Sequence, residues 1–263
     1  MPIIDTHCHA APMWYESVES LIYHMDQNEV AQALLVQIKG YYDNAYQFAC
    51  AQRYPGRLRS VVAVDLTRPD AATALERLVD QGACGVRIST DGRSPADDPL
   101  VIWRKAAQWG LPVSCGGARA QFADPAFANL IEALPTLPII IEHLGGITWA
   151  DGAATEPERE RIFALARYPN VYLKIHGLGE FLPRNMPVTT PFPFDPIGLS
   201  LLERAYTAFG PERLLWGSDY PPVAGREGYA RALAFTREAL ADKGKVAIDQ
   251  IFGGTAATLY QPR

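Results

Sequence analysis

The sequence predicts an α/β fold, a single (β/α)8 TIM barrel forming one domain over residues 1–263. Three observations predict it. Short apolar runs alternate with longer amphipathic stretches from end to end, at a spacing of roughly 30 residues, the pattern of successive βαβ units. Eight such runs can be counted in a chain of barrel size. The polar residues with chemical potential gather at the ends of those runs, where the mouth of a barrel lies. A doubly wound open sheet is the rival, but it usually needs fewer strands. No G-x-G-x-x-G turn follows the first run.

The expected strands are Ile3–His9, Ala33–Ile38, Leu58–Asp65, Cys84–Ile88, Leu111–Cys115, Pro138–His143, Val171–His176 and Leu214–Asp219. Most are continuously apolar, as befits strands covered on both faces. Between them, Asp70–Gln81 places Ala71, Ala74, Leu75, Leu78 and Val79 on one helical face and stops at Gly82. Asp98–Trp109 stops at Gly110, with Pro112 beyond it. Asp124 reads as an N-cap, with Pro125 at the first helical position. Glu156–Tyr168, Leu199–Phe209 and Arg226–Leu240 complete the expected helices. Glu180–Asp195 departs from the rhythm with Pro183, Pro187, Pro191 and Pro193. It follows the seventh strand, so it belongs at the mouth as a lid or binding loop, or as a plain surface excursion.

Composition narrows the partners. Apolar residues make up 48% and charged residues 20%, and the net charge is -5. That balance has no basic footprint for nucleic acid. No apolar run approaches the ~20 residues that span a bilayer. Pro2-Ile3-Ile4-Asp5 already reads as strand, so no signal segment is expected ahead of the fold. The four cysteines, Cys8, Cys50, Cys84 and Cys115, are scattered, which suits reduced thiols in a cytoplasmic protein.

The first strand ends in His7-Cys8-His9. Strand side chains alternate, so both imidazoles share a face while Cys8 points away. Such a pair can bind one divalent metal, which a carboxylate often completes; a lone histidine would read as a satisfied core residue. The eighth strand ends in Gly217-Ser218-Asp219, and closure of a barrel brings Asp219 beside the pair. Its other reading is a helix cap. His143 and His176 end the sixth and seventh strands, each a metal ligand, a proton shuttle or a hydrogen-bond donor. Arg87, near the end of the fourth, either grips a carboxylate or lactone oxygen or closes an internal ion pair. Lys39 and Arg119 are weaker candidates of the same kind. Trp14 and Tyr15 either line a pocket or cover the mouth. Cys115 is either a fifth rim ligand or, the favoured reading, a small buried residue, and His24, within a helical pattern, reads as a surface one.

Ile4-Asp5-Thr6-His7-Cys8-His9, His143-Leu144-Gly145-Gly146 and Gly217-Ser218-Asp219-Tyr220-Pro221 resemble the amidohydrolase superfamily. They are most similar to its amidohydrolase-2 branch of sugar-acid, pyrone-dicarboxylate and muconolactone-type lactonases and non-oxidative decarboxylases. The resemblance covers the whole chain. It implies metal or water binding at His7, His9 and Asp219, a polarising or proton-transferring His143, and a carboxylate grip by Arg87. It also implies one divalent metal ion, zinc before others, although some lactonases of this branch work without metal. Two departures stand out. Val113-Ser114-Cys115-Gly116 lies where the decarboxylases carry a metal-binding histidine, and His176 stands where the lactonases often have serine.

The expected function is therefore lactone hydrolysis, with Asp219 as general base for a water held by His7 and His9. His143, with His176 or Arg87, would stabilise the oxyanion. Arg87, His176, Lys39 and Trp14 are the expected contacts to a carboxylated or polyhydroxylated lactone. A metal-dependent non-oxidative decarboxylase of an aromatic or unsaturated acid is the alternative, and a binding barrel without chemistry is the third reading. A homo-oligomer is compatible with all three.

Overall fold

Eight parallel strands follow one another around one sheet in chain order. They are β1 (Ile3–Cys8), β2 (Val30–Val36), β3 (Leu58–Val62), β4 (Gly85–Ser89), β5 (Val113–Gly116), β6 (Ile139–Ile141), β7 (Val171–Ile175) and β8 (Leu214–Trp216). The computed structural model describes residues 1–261; residues 262 and 263 of the expected domain lie outside the described residues. A doubly wound sheet would break the consecutive order, so the rival is excluded. The ring closes just past the strand ends. Cys8 bridges Tyr220 in parallel, the His9 N–H donates to the Tyr220 carbonyl at 2.7 Å, and the Asp219 N–H donates to the His7 carbonyl at 2.8 Å.

The helices are α1 (Val18–Gln27), α2 (Ala45–Arg53), α3 (Ala71–Asp80), α4 (Val101–Gln108), α5 (Arg119–Ala123), α6 (Pro125–Glu132), α7 (Glu156–Ala164), α8 (Leu178–Phe181), α9 (Ser200–Phe209), α10 (Tyr229–Ala239), α11 (Gly244–Asp249) and α12 (Thr255–Leu259). Asp124 caps α6 as expected, accepting from the Ala126 N–H at 2.8 Å. Two expectations are corrected. The helix expected from Arg226 begins at Tyr229, because Gly228 at φ 80° turns the chain first. His24 is half-buried rather than a surface residue: its ring stacks on Tyr229 at 5.4 Å.

Strands β6 and β8 stop earlier than expected, and the reason bears on the site. His143, Leu144 and Asp219 adopt left-handed backbone conformations, with φ of 55°, 49° and 56°. Side-chain-bearing residues enter that region at a cost, and such residues concentrate at functional sites. The strands thus end where the chain bends to present their polar residues. On the opposite face Tyr260 packs over the strand starts: a Cβ on Gly85, the first residue of β4, would lie 3.3 Å from its ring. Ile4, Leu34, Val61, Ile140 and Leu215 form a small buried cluster with it. The larger core lies where the helices cover the strands.

Candidate active site

Asp5 sets the β1 side of the mouth. Its buried carboxylate accepts from the N–H groups of His7 (3.1 Å) and Ser218 (2.8 Å) and from the Tyr229 hydroxyl (3.0 Å), tying β1 to the segment after β8. The Thr6 hydroxyl donates to the Trp216 carbonyl at 2.7 Å. Cys8 turns away as expected, its Sγ 3.2 Å from the Leu34 carbonyl. The His7 and His9 rings meet edge to face at 4.9 Å. Gly217 allows this, since a Cβ there would fall 2.6 Å from that of His7.

His9 Nδ1 lies 2.7 Å from the Val36 carbonyl, which can only accept. Nδ1 therefore carries a proton, and Nε2 faces Asp219 Oδ1 at 3.6 Å. His7 Nε2 lies 3.9 Å from the same oxygen and is buried without a hydrogen-bond partner. Burial, then the charge of Lys174, push the His7 imidazole well below its ordinary range, so it is neutral. Burial pushes the Asp219 carboxyl up, but the approach of His9 and the charges of His143 and Arg226 outweigh it and hold it low. Its second oxygen accepts from Arg226 at 3.0 Å.

The β4–β7 side is built from ion pairs. Glu142 accepts from Arg87 at 2.7 Å and from the Ser114 hydroxyl at 2.6 Å. Lys174, fully buried, donates to the Thr6 carbonyl (3.0 Å) and Ser114 Oγ (3.1 Å), and its Nζ lies 3.1 Å from His7 Nδ1. Burial pushes the Glu142 carboxyl up, yet Arg87, Lys174 and His143 bring it down to about 2. Burial brings Lys174 down to about 8 against the pull of Glu142. As an amine, Lys174 can accept from His7 Nδ1–H and leave Nε2 as a free lone pair.

His143 Nδ1 makes a short hydrogen bond to Glu180 of α8. Burial pushes this imidazole down, but Glu180 first, then Glu142 and Asp219, leave it raised overall. His176 stacks parallel on His143 at 4.1 Å and is fully buried; neither ring nitrogen has a hydrogen bond among the described residues, Nδ1 lying 3.6 Å from Glu180 Oε2. Burial and the charge of His143 keep it neutral.

A cavity of 650 Å³ opens against this side, lined among others by Lys39, Arg87, Arg93, Glu142 and His143. His7, His9 and Asp219 lie just outside its lining. Arg87 thus fulfils the ion-pair reading while still facing the cavity. Trp14 does not line it and is 76% exposed. Its neighbour Tyr15 stacks on His9 instead, at 5.4 Å. Arg119 is drawn off by Asp151 and Glu158, and Cys115 is buried. Sequence reasoning missed Ser114, Glu142, Lys174, Glu180 and Arg226. The available signal was a charge inside or directly after an apolar run, clearest in Val-Tyr-Leu-Lys-Ile and Ile-Ile-Ile-Glu.

The residues fit a divalent metal. His7, His9 and Asp219 offer two imidazole nitrogens and a carboxylate oxygen within 4.8 Å of one another. His7 Nε2 otherwise has no partner among the described residues.

A (β/α)8 barrel with paired imidazoles at the end of β1 and a carboxylate after β8 is an amidohydrolase-type barrel. The chain belongs to the amidohydrolase family, which it matches over residues 4–261. It is 27% identical over 188 residues to 4-sulfomuconolactone hydrolase of Hydrogenophaga intermedia, covering 68% of this chain and 56% of that protein. It spans just over half the length of that relative. L-fucono-1,5-lactonase of Burkholderia ambifaria is 33% identical over 143 residues, covering 52% and 46%. A crystal structure of a probable 2-pyrone-4,6-dicarboxylic acid hydrolase from Acinetobacter baumannii, with citric acid bound, superposes with a TM-score of 0.76. It is 22% identical and the match covers 99% of both chains. No helix among the described residues is long and apolar enough to cross a membrane.

Proposed function

We propose that the protein opens a lactone by hydrolysis. The observation that carries the reading is the setting of Asp219: a carboxylate held ionised, facing His7 and His9 with one oxygen and Arg226 with the other. The relatives named as lactone hydrolases support the same class.

Water held by His7, His9 and Asp219 attacks the lactone carbonyl carbon while Asp219 takes its proton. The developing oxyanion is met by His143, whose protonated form Glu180 favours, and by the guanidinium of Arg87. The ring C–O bond then breaks, and His143 delivers its proton to the departing oxygen; Asp219 gives up its proton to solvent and His143 takes one back, which resets both groups. The acid product ionises to solvent. A divalent cation, zinc before others, bound by His7, His9 and Asp219 would polarise the carbonyl and lower the pKa of water towards neutrality. Lys39 and Arg87 line the cavity with positive charge, which suits a carboxylated lactone. His176 acts from beneath, supporting the His143 ring.

Asp219→Asn tests this directly. Turnover of sugar-acid and muconate-type lactones, followed with a pH indicator, should fall by about 10²–10⁴ with the thermal midpoint retained. Near-normal turnover would remove Asp219 from the mechanism.

A further inference from the structure

A second cavity, of 480 Å³, is lined by Arg226, the residue that also holds Asp219. One wall is the loop after α8, with Arg184 and Phe194; another is α10, with Arg231 and Phe235. Arg226 and Glu227 also line it. Three guanidinium groups thus face a single acid. Arg184 and Arg231 have no ion-pair partner among the described residues.

Glu227 is deeply buried, its side chain 4% exposed. One oxygen accepts from the Gly179 N–H at 3.0 Å; the other has no hydrogen bond. Arg226 Nε is also buried without a hydrogen bond among the described residues, 3.9 Å from that oxygen. Buried polar atoms are seldom left this way, and here both belong to residues lining one cavity. The carboxylate sits close against the backbone of Gly177 and Gly179: a Cβ at either would come within 2.1 or 2.2 Å of its oxygens. Phe194 and Phe235 meet edge to face at 5.7 Å, giving the cavity a ready-made aromatic wall.

We propose that this cavity is a second ligand site, for a small organic carboxylate with a flat apolar body. Arg184, Arg226 and Arg231 grip the carboxylate, and Phe194 and Phe235 seat the body. The site communicates with the first through one side chain. Arg226 holds Asp219 at 3.0 Å and also lines this cavity. An anion there competes with Asp219 for the same guanidinium, so the two sites are coupled reciprocally. The binding stands without the lactonase reading; the effect on turnover rests on it.

Calorimetric titration of the whole chain with benzoate tests the binding. Saturable binding is expected, weakened at least tenfold in the Arg184→Ala/Arg231→Ala double variant. Both side chains are exposed, so folding should be kept, which an unchanged thermal midpoint verifies. Phe235→Leu should weaken benzoate several-fold as well. No saturable binding at millimolar benzoate, or equal affinity in the double variant, overturns the site. In the lactone assay, benzoate should change kcat with little change in KM; purely competitive inhibition would overturn its separateness. The calorimetry needs no turnover, so it decides the second site even for a chain that opens no lactone.

Discussion

The two halves of the barrel mouth solve opposite problems. On the β1–β8 side, His7 is buried and neutral, and its Nε2 faces Asp219 across 3.9 Å with no closer partner. On the β4–β7 side the charged groups are paired, Glu142 with Arg87 and Ser114, Lys174 with Thr6 and Ser114, His143 with Glu180, and the neutral His176 imidazole is left over. The first half keeps lone pairs open for a metal or a water. The second fixes charge where an oxyanion would form. Preorganised charge costs no reorganisation during reaction, whereas open lone pairs must be held apart by their surroundings. Lys174 joins the halves, since its Nζ touches both Ser114 and His7 Nδ1.

Breaking the charged half should have the largest effect. Glu142→Gln leaves Arg87 and Lys174 without their counter-ion, which for a buried pair costs about 3–5 kcal/mol. Urea unfolding at neutral pH measures it. Glu142 is held at about 2 against an ordinary 4.5, so its contribution is complete above 4.5 and is lost as pH falls towards 2. The gap between wild type and variant should therefore close in acid. A loss below about 1 kcal/mol at pH 7 would show that the ion pairs only break even against a neutral amide.

Filling the open half should come next. Zinc at about 100 times its Kd should stabilise the wild type by about 2.7 kcal/mol. It should do nothing for a His7→Ala/His9→Ala variant, as read by thermal midpoints with and without chelator. The gain should grow as pH passes about 8, where Lys174 becomes an amine and frees His7 Nε2. A gain that persists in the double variant would place the metal elsewhere.

Glu180→Gln sharpens the contrast through pH alone. His143 is raised above its ordinary 6.5 with Glu180 as the leading support, and in the proposed mechanism the protonated ring is the form that assists ring opening. Without Glu180 the alkaline limb of kcat/KM should move to lower pH, while the acid limb, set by Asp219, stays. The stability that Glu180 lends is complete below 6.5 and lost as pH rises through the raised value. The variant should thus lose more stability in mild acid than in mild alkali. An unmoved alkaline limb would assign it to another group.

The open half is far more legible in the sequence than the charged half. His7, His9 and Asp219 stand at the ends of apolar runs, and barrel closure alone brings them together. The charged half depends on lateral neighbours. Ser114 meets Glu142 because β5 lies beside β6, and Lys174 reaches Thr6 from β7. Apolar periodicity locates strands but does not say which inward charge meets which. Glu180 reads as the first residue of a loop; its role follows from a one-turn helix whose length the proline-rich sequence after it conceals. The ends of β6 and β8 escape the same reading for a related reason, since nothing in His143 or Asp219 as letters announces a left-handed backbone.

The smallest effect tests the segment just after β1, where two neighbouring aromatics follow the histidine pair. No periodicity constrains 10–17, and the sequence takes Trp14 rather than Tyr15 as the ligand contact. The fold separates them: Trp14 is 76% exposed, while Tyr15 lies nearly parallel to the His9 ring, 18° between planes. Trp14→Ala should change stability by no more than about 0.5 kcal/mol and lactone kinetics by less than twofold. Tyr15→Ala should cost more, because it strips one face of the imidazole whose Nε2 points at Asp219. A stacked pair contributes about 0.5–1.5 kcal/mol, up to roughly tenfold if expressed wholly in the bound state. Zinc affinity and kcat/KM measured together would read it. The reverse ranking would mean that Trp14 folds over the mouth when substrate arrives, returning it to the ligand contacts expected from the sequence.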